Sequence, residues 1–374
     1  MVQEARVYLD HAASSPMSEQ VREAMAEAMG RPGNPSSLHT SGRLARQLLE
    51  QARESVAADL EAGPSEVVFC SGGTEANNLA VLGAVGADGE VLMPAIEHPS
   101  VLGARDLLGE RVRVLEVDAD GRVAPSTVAD AIGPATRLVS VMWVNNETGA
   151  IQPVSPIAAV AQGARVLAHS DAVQAVGHVP VDFGASGLDL LSLSGHKLGG
   201  PVGIGALLVR RGVALAAPGF GGGQEAKLRS GTVPVALAVG LAAALREATE
   251  RLAFEASRLA ELGELLIAGL GGLAGVRVNT TTPATPAIVH VTFDQVRADD
   301  LLLLLDAAGI DCSTGSACTA GVHQPSEVLL AMGRGLAEAS GSLRFSFGPT
   351  TSEAHIAHLL QVLPGALTSA RSAY

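Results

Sequence analysis

Leu188-Asp189-Leu190-Leu191-Ser192-Leu193-Ser194-Gly195-His196-Lys197 is the stretch from which the rest of this chain can be read. A short apolar run, Leu188 to Leu193, ends abruptly in a serine, a glycine, a histidine and a lysine. That pattern fits a buried β-strand that delivers polar side chains at its end. A second run, Arg165 to His169, ends just before Asp171 and Gln174. A lysine and a carboxylate on two such strand ends suit a pyridoxal phosphate (PLP) site. The lysine amine forms a Schiff base with the aldehyde, and the carboxylate keeps the pyridine nitrogen protonated.

The 374 residues are more than one ordinary core accommodates, so two domains are expected. Apolar residues make up 47% and charged residues 17%, which places the chain among globular proteins. A net charge of −13 argues against a general nucleic-acid surface, so no direct nucleic-acid binding is expected. Met1-Val2-Gln3-Glu4-Ala5-Arg6 shows no basic segment followed by an apolar one, so no signal peptide is read there. The longest apolar stretch, Val233 to Leu245, is short of the roughly 20 residues that span a bilayer, and no membrane role is expected. Three cysteines make no even disulfide framework and fit a reduced cytoplasm. Without a Cys-x-x-Cys pair, no metal site is expected.

Short Val/Leu/Ile-rich runs alternate with helical patterns along the first two thirds. Candidate strands are Glu66–Phe69, Glu90–Met93, Val112–Leu115, Leu138–Met142, Arg165–His169, Leu188–Leu193 and Ala206–Val209. Helical patterns fit Ser41–Asp59, Thr74–Val85, Ser126–Ala131, Pro156–Gln162 and Pro234–Leu270. The alternation predicts an α/β fold: a mainly parallel seven-stranded sheet flanked by helices. Further on, Ala287–Phe293 and Ser342–Phe347 read as strands and Arg297–Ala308 as a helix, predicting a smaller α/β domain. The expected division is 15–255 for the large domain, with 1–14 and 256–374 forming the small one.

Ligands bind beyond the carboxyl ends of strands in open parallel sheets, and the residues there carry polar chemistry. Ser71-Gly72-Gly73-Thr74 lies between a strand and a helix, where backbone N–H groups and the helix dipole suit an anion. A plain glycine turn with Thr74 as N-cap fits it equally. His98, taken alone, is as readily a surface or core histidine, Asn146 a turn residue and Asp171 a helix cap. Gly-Gly-Pro-Val-Gly-Ile-Gly at 199–205 points to close backbone approach around Lys197 rather than a solvated lysine. Leu228-Arg229-Ser230-Gly231-Thr232 is either a surface loop or a second phosphate contact through Thr232. Cys318 sits among small residues in Gly315-Ser316-Ala317-Cys318-Thr319, which suits an accessible nucleophilic thiol. Cys70 and Cys312 read instead as small buried hydrophobes. Arg344, in the alternating Ser342-Leu343-Arg344-Phe345-Ser346-Phe347, could clamp a carboxylate or make a surface ion pair.

Ten motifs in order now carry a family resemblance: Tyr8-Leu9-Asp10, Gly33-Asn34-Pro35-Ser36, Ser71-Gly72-Gly73-Thr74-Glu75, Glu97-His98, Val144-Asn145-Asn146-Glu147, Asp171-Ala172-Val173-Gln174, Ser194-Gly195-His196-Lys197, Arg229-Ser230-Gly231-Thr232, Gly315-Ser316-Ala317-Cys318-Thr319 and Arg344-Phe345-Ser346. Over residues 6 to 352 the chain resembles the PLP-dependent cysteine desulfurases, in the branch serving nitrogen fixation and iron–sulfur cluster assembly. The resemblance implies PLP fold type I and a homodimer with active sites near the subunit interface. It implies Lys197 as the Schiff-base lysine, Asp171 on the pyridine nitrogen, Gln174 on the ring hydroxyl, His98 as a catalytic residue stacked on the ring and helping to move protons, and Asn146 also on the cofactor. Gly73 would bind the cofactor, and Thr74, Ser194 and His196 would hold its phosphate, joined by Thr232 from the second subunit. Arg344 and Asn34 would hold the substrate carboxylate.

The implied reaction converts L-cysteine to L-alanine. Lys197 takes the Cα proton, and the Cys318 thiolate attacks the substrate sulfur and becomes a persulfide. The implied partner is a protein sulfur acceptor, such as an iron–sulfur scaffold or a tRNA-thiolation enzyme. The short chain beyond the last motif suggests that a C-terminal docking tail is absent.

Overall fold

Residues 6–216, 219–315 and 324–374 are described by the computed structural model. The strands are β1 (Val7–Tyr8), β2 (Val67–Cys70), β3 (Glu90–Pro94), β4 (Val112–Leu115), β5 (Thr136–Ser140), β6 (Leu167–Asp171), β7 (Leu190–Ser194), β8 (Gly205–Val209), β9 (Val276–Val278), β10 (Ile288–Phe293), β11 (Ile310–Asp311) and β12 (Ser342–Ser346). Seven of them form one sheet in the order β2-β8-β7-β6-β5-β3-β4. Neighbours from β4 through β7 pair in parallel, whereas β8 runs antiparallel to both β7 and β2.

Period-two alternation explains how this sheet is buried on both faces. On one face Val68, Val91, Leu138, Leu190 and Leu207 pack with Ala76, Leu79, Ala80 and Val85 of the helix Gly73–Val85. On the other, Phe69, Leu92, Val139, Leu191, Leu193 and Leu208 meet residues of the helices Thr40–Asp59, Val154–Gly163 and Val235–Leu270. Leucine, valine and alanine fill nearly all of this core, as a chain with 3% aromatics requires.

The 36-residue helix Val235–Leu270 serves two cores. Its first half, with Leu241 and Leu245, joins the core beneath the large sheet. Its second half, with Leu259, Leu262, Leu266 and Leu270, packs with Val289, Val291, Leu343, Phe345 and Phe347 in a second core. There β10 is the centre of an antiparallel sheet ordered β12-β10-β9, and β1 pairs with β11.

Several elements differ from the sequence reading. The strand expected to begin at Arg165 begins at Leu167, because Arg165 has φ +60° and its N–H returns to the Gln162 carbonyl. It also runs on to include Asp171. Two helices, Glu19–Met29 and Glu353–Ser372, are absent from the sequence reading. The second buries Ile356, Leu359, Leu363, Ala366, Leu367 and Ala370 at helical spacing against the second core. No helix among the described residues is long and apolar enough to cross a membrane.

Candidate active site

A cavity of about 640 Å³ lies beyond the carboxyl ends of β3, β6 and β7. The topology therefore places strand-end residues together, as expected for an open parallel sheet. Into it face Gly73, Thr74, His98, Asn146, Asp171, Gln174, Ser194, His196, Lys197 and Arg344, all singled out from the sequence.

Lys197 closes a turn of 3₁₀ helix, Gly195–Lys197, directly after β7. Its Nζ donates to the carbonyls of Ala12 (2.7 Å) and Ala13 (3.0 Å). Burial lowers its pKa to about 8; Arg344 adds to the lowering, while Asp10 and Asp171 oppose it. Gly195 is obligatory for this turn, because a Cβ there would lie 2.8 Å from the Pro201 carbonyl oxygen. On the adjacent strand Asp171 is 5% exposed. One carboxylate oxygen accepts from Val173 N (3.0 Å) and the other from Asn77 Nδ2 (2.7 Å). Gln174 Nε2 donates to the Ala12 carbonyl at 2.8 Å.

Gly73 and Thr74 open the 13-residue helix Gly73–Val85, whose N-terminus carries no side-chain cap. A Cβ on Gly73 would meet Val173 Cγ2 at 2.6 Å, so glycine lets this backbone lie against the floor of the cavity. His98 caps the short helix Pro99–Leu102. Its Nδ1 accepts from Ser100 N (3.1 Å) and lies 2.8 Å from Ser100 Oγ. Burial lowers the His98 pKa, partly offset by Asp171. The neutral ring therefore carries its proton on Nε2.

Arg344 lies on β12 and is 5% exposed. Nη1 donates to the Asn146 carbonyl (2.8 Å) and Nη2 to Asp10 Oδ1 (2.9 Å), while Nε has no partner among the described residues. A guanidinium held this way presents cationic charge to the cavity, as a carboxylate-bearing ligand needs.

Four polar groups at the site carry no role in the sequence reading. Asn77 lies three positions beyond Thr74 on the same helix and bridges Asp171 and Ser100. Asp10 holds Arg344. Glu97 is 3% exposed, accepts from Met142 N at 2.5 Å, and has its second oxygen unpartnered among the described residues. Burial drives its pKa well above the ordinary carboxyl value. Burial likewise raises Glu147 to about 7; its Oε2 accepts from Ser326 Oγ at 2.5 Å, and this bond and Arg344 hold the rise down. Glu97 and Glu147 both stand in motifs named above. Only the three-dimensional structure reveals their desolvation.

Two expected residues do not line the cavity of a single chain. Asn34 is exposed, its Oδ1 accepting from Ser36 N at 2.9 Å. Thr232 is also exposed, in the loop preceding the helix Val235–Leu270. Cys318 lies outside the described residues. Of the other cysteines, Cys70 is buried and Cys312 half-buried, and burial pushes both thiols up to about 12.

A seven-stranded, mainly parallel sheet with this cavity at its carboxyl edge, plus a smaller α/β unit, is the architecture of PLP fold type I. The sequence profile of the family described as Aminotransferase class-V matches residues 7–359. An IscS-like cysteine desulfurase of Mycobacterium tuberculosis is 48% identical over 98% of this chain and 97% of its own. The cysteine desulfurase IscS of Methanosarcina thermophila is 40% identical over 96% of this chain and 91% of its own. A solved NifS-like protein superposes with a TM-score of 0.91 at 33% identity, covering 97% of this chain and all of its own. This chain belongs to the class-V aminotransferase family, in the group formed by the cysteine desulfurases.

Proposed function

We propose that this chain is a PLP-dependent cysteine desulfurase that converts L-cysteine to L-alanine and carries the sulfur on Cys318. The observation that carries the reading is the meeting of Lys197 and Asp171 in one cavity, with the Arg344 guanidinium on its wall.

The residues present fit PLP. The uncapped N-terminus of the helix Gly73–Val85, with Gly73 against Val173, leaves backbone N–H groups and a positive dipole end for a phosphate. Thr74, Ser194 and His196 surround the same place, and Thr232 of the partner subunit completes it in a homodimer. Asp171 is assigned to the ring nitrogen, Gln174 to the ring hydroxyl, and His98 and Asn146 to the ring. When bound, PLP supplies an electron sink for the bonds broken at the substrate.

The chain's own residues supply the rest. Arg344, helped by Asn34, orients the substrate carboxylate. The lowered pKa leaves Lys197 partly neutral near pH ~7.5, so its amine takes the Cα proton and later returns one. His98, neutral with Nε2–H, holds a proton beside the reacting atoms. The Cys318 thiolate attacks the substrate sulfur: its S–S bond forms and the substrate Cβ–S bond breaks. Sulfur is oxidised and Cβ reduced by equal amounts, so L-alanine and a persulfide balance without an external oxidant.

A protein thiol or cluster scaffold receives the persulfide sulfur, for iron–sulfur assembly or tRNA thiolation. We place the large domain at 15–255 and the small one at 1–14 with 256–374, and the working compartment in the cytoplasm. The test is the visible spectrum of the purified protein with and without L-cysteine, alongside Lys197→Ala. A Schiff-base band present in the wild type and lost in the variant supports the assignment. A band that persists in Lys197→Ala contradicts it.

A further inference from the structure

The segment before Thr232 contains three consecutive left-handed residues that are not glycine. Glu225, Ala226 and Lys227 have φ of 44°, 55° and 67°. Each is unfavourable for an L-residue, and such backbone persists only where its surroundings over-determine it.

The surroundings are specific. The Glu225 side chain is 3% exposed and forms a fork with Arg53 of the helix Thr40–Asp59: Nη2 to Oε1 at 2.7 Å and Nη1 to Oε2 at 2.9 Å. β2 is the edge strand of the large sheet, so among the described residues the outer side of its backbone has no strand to pair with. The ion pair takes that place. Phe69 N donates to Glu225 Oε2 (2.6 Å), and Arg53 Nη1 donates to the Val67 carbonyl (2.7 Å). The Arg53 guanidinium also lies 4.8 Å from the Phe69 ring centre.

From this anchor the loop is tied at both ends. Next to Glu225, Gln224 Oε1 accepts from Gly231 N at 2.9 Å, immediately before Thr232. Arg229 Nε donates to Glu75 Oε1 at 3.2 Å, and Glu75 Oε2 in turn accepts from Ser71 N at 2.5 Å. The Glu225 carboxylate thus fixes to the edge of β2 the loop whose neighbouring Gln224 amide holds Gly231, and the Glu75 carboxylate ties the same loop to Ser71; exposed Thr232 follows directly.

We propose that Glu225 is a positioning residue for cofactor phosphate binding: clamped by Arg53 on the free edge of β2, it sets the loop that presents Thr232 to the partner subunit. This rests on the assignment of Thr232 to the phosphate given above. Glu225 does not line the cavity, so it acts on the phosphate only through Thr232.

The experiment is equilibrium dialysis of the full chain against PLP, with bound cofactor read by absorption, for wild type, Glu225→Gln, Thr232→Ala and the double variant. Each single variant is expected to raise the Kd by about tenfold, as for one lost phosphate hydrogen bond. The double variant is expected to match Thr232→Ala rather than multiply the two losses. A merely structural Glu225 predicts independent, multiplying effects, and that result overturns the proposal. Unchanged binding in Glu225→Gln also overturns it while leaving the Thr232 assignment intact. Unchanged binding in Thr232→Ala removes the assignment and the proposal together. Should Glu225→Gln fail to fold, Arg53→Lys replaces it in the same cycle. That variant keeps the charge and loses the fork, and the same non-additivity with Thr232 is expected.

Discussion

Replacing Glu147 by glutamine should change how stability depends on pH, and the size of the change follows from the site. The Glu147 carboxyl is 5% exposed, and burial raises its pKa from 4.5 to about 7. The groups facing it are the Ser326 hydroxyl, the Arg344 guanidinium and, more weakly, the Glu327 carboxylate. Because the folded pKa lies above the unfolded one, the stabilising contribution is fully present below pH 4.5. It is lost as pH rises through about 7. A rise of about 2.5 units corresponds to about 3 kcal/mol, at about 1.36 kcal/mol per unit. With about 2.1 cal/mol/K per residue, that is about 4 °C in Tm for a chain of this length. The side-chain amide introduced by Glu147→Gln accepts the same Ser326 hydrogen bond and does not titrate. Thermal melting of both proteins from pH ~4.5 to ~8 should therefore show the wild type losing about 4 °C relative to Glu147→Gln across this window. A Tm difference that stays flat with pH would refute the buried, protonated carboxyl.

Other outcomes follow from the same geometry. At pH ~7.5 about a quarter of Lys197 should be neutral, against about one in a thousand for an ordinary lysine. The rate of Schiff-base formation on the cofactor-free chain should accordingly reach half-maximum near pH 8, and a midpoint at about 10 or above would count against the burial argument. Asn77→Ala removes the side-chain donor on Asp171 and leaves that carboxylate less well held, so kcat/KM for L-cysteine should fall about tenfold. Steady-state kinetics equal to wild type would deny Asn77 that role. Phe345→Ala, at a fully buried position on β12, should cost about 3–5 kcal/mol in urea unfolding, and a loss under about 1 kcal/mol would mean this core is loosely packed.

Strand cores and site residues are legible in the sequence to different degrees, for physical reasons. The inner strands of the large sheet stand out because burial on both faces forces near-continuous apolar runs, as in Leu190–Ser194, whereas the edge strand Val112–Leu115 leaves Arg113 and Val114 exposed. Their ends are less legible. The start at Leu167 depends on a left-handed Arg165, which local composition does not reveal. Helix Glu19–Met29 buries only Val21 and Ala28, so its apolar stripe is thin. Helix Glu353–Ser372 carries a full stripe but is interrupted by Pro364, which disguises its length. At the site, residues that end strands are readable because chemistry concentrates there. Asn77, Asp10 and the carbonyls of Ala12 and Ala13 are not, because their roles arise from contacts across 94 to 334 residues of chain. The Arg53–Glu225 pair belongs with these: neither residue stands in a recognisable pattern with the other.

The most direct test of the central claim is the product balance with L-cysteine, comparing the PLP-loaded wild type with Cys318→Ala. The account predicts equal amounts of L-alanine and of sulfur, the sulfur recoverable as a persulfide on Cys318, and loss of both products in the variant. Product formation indifferent to Cys318 would contradict it and would point instead to transaminase or lyase chemistry on the same fold.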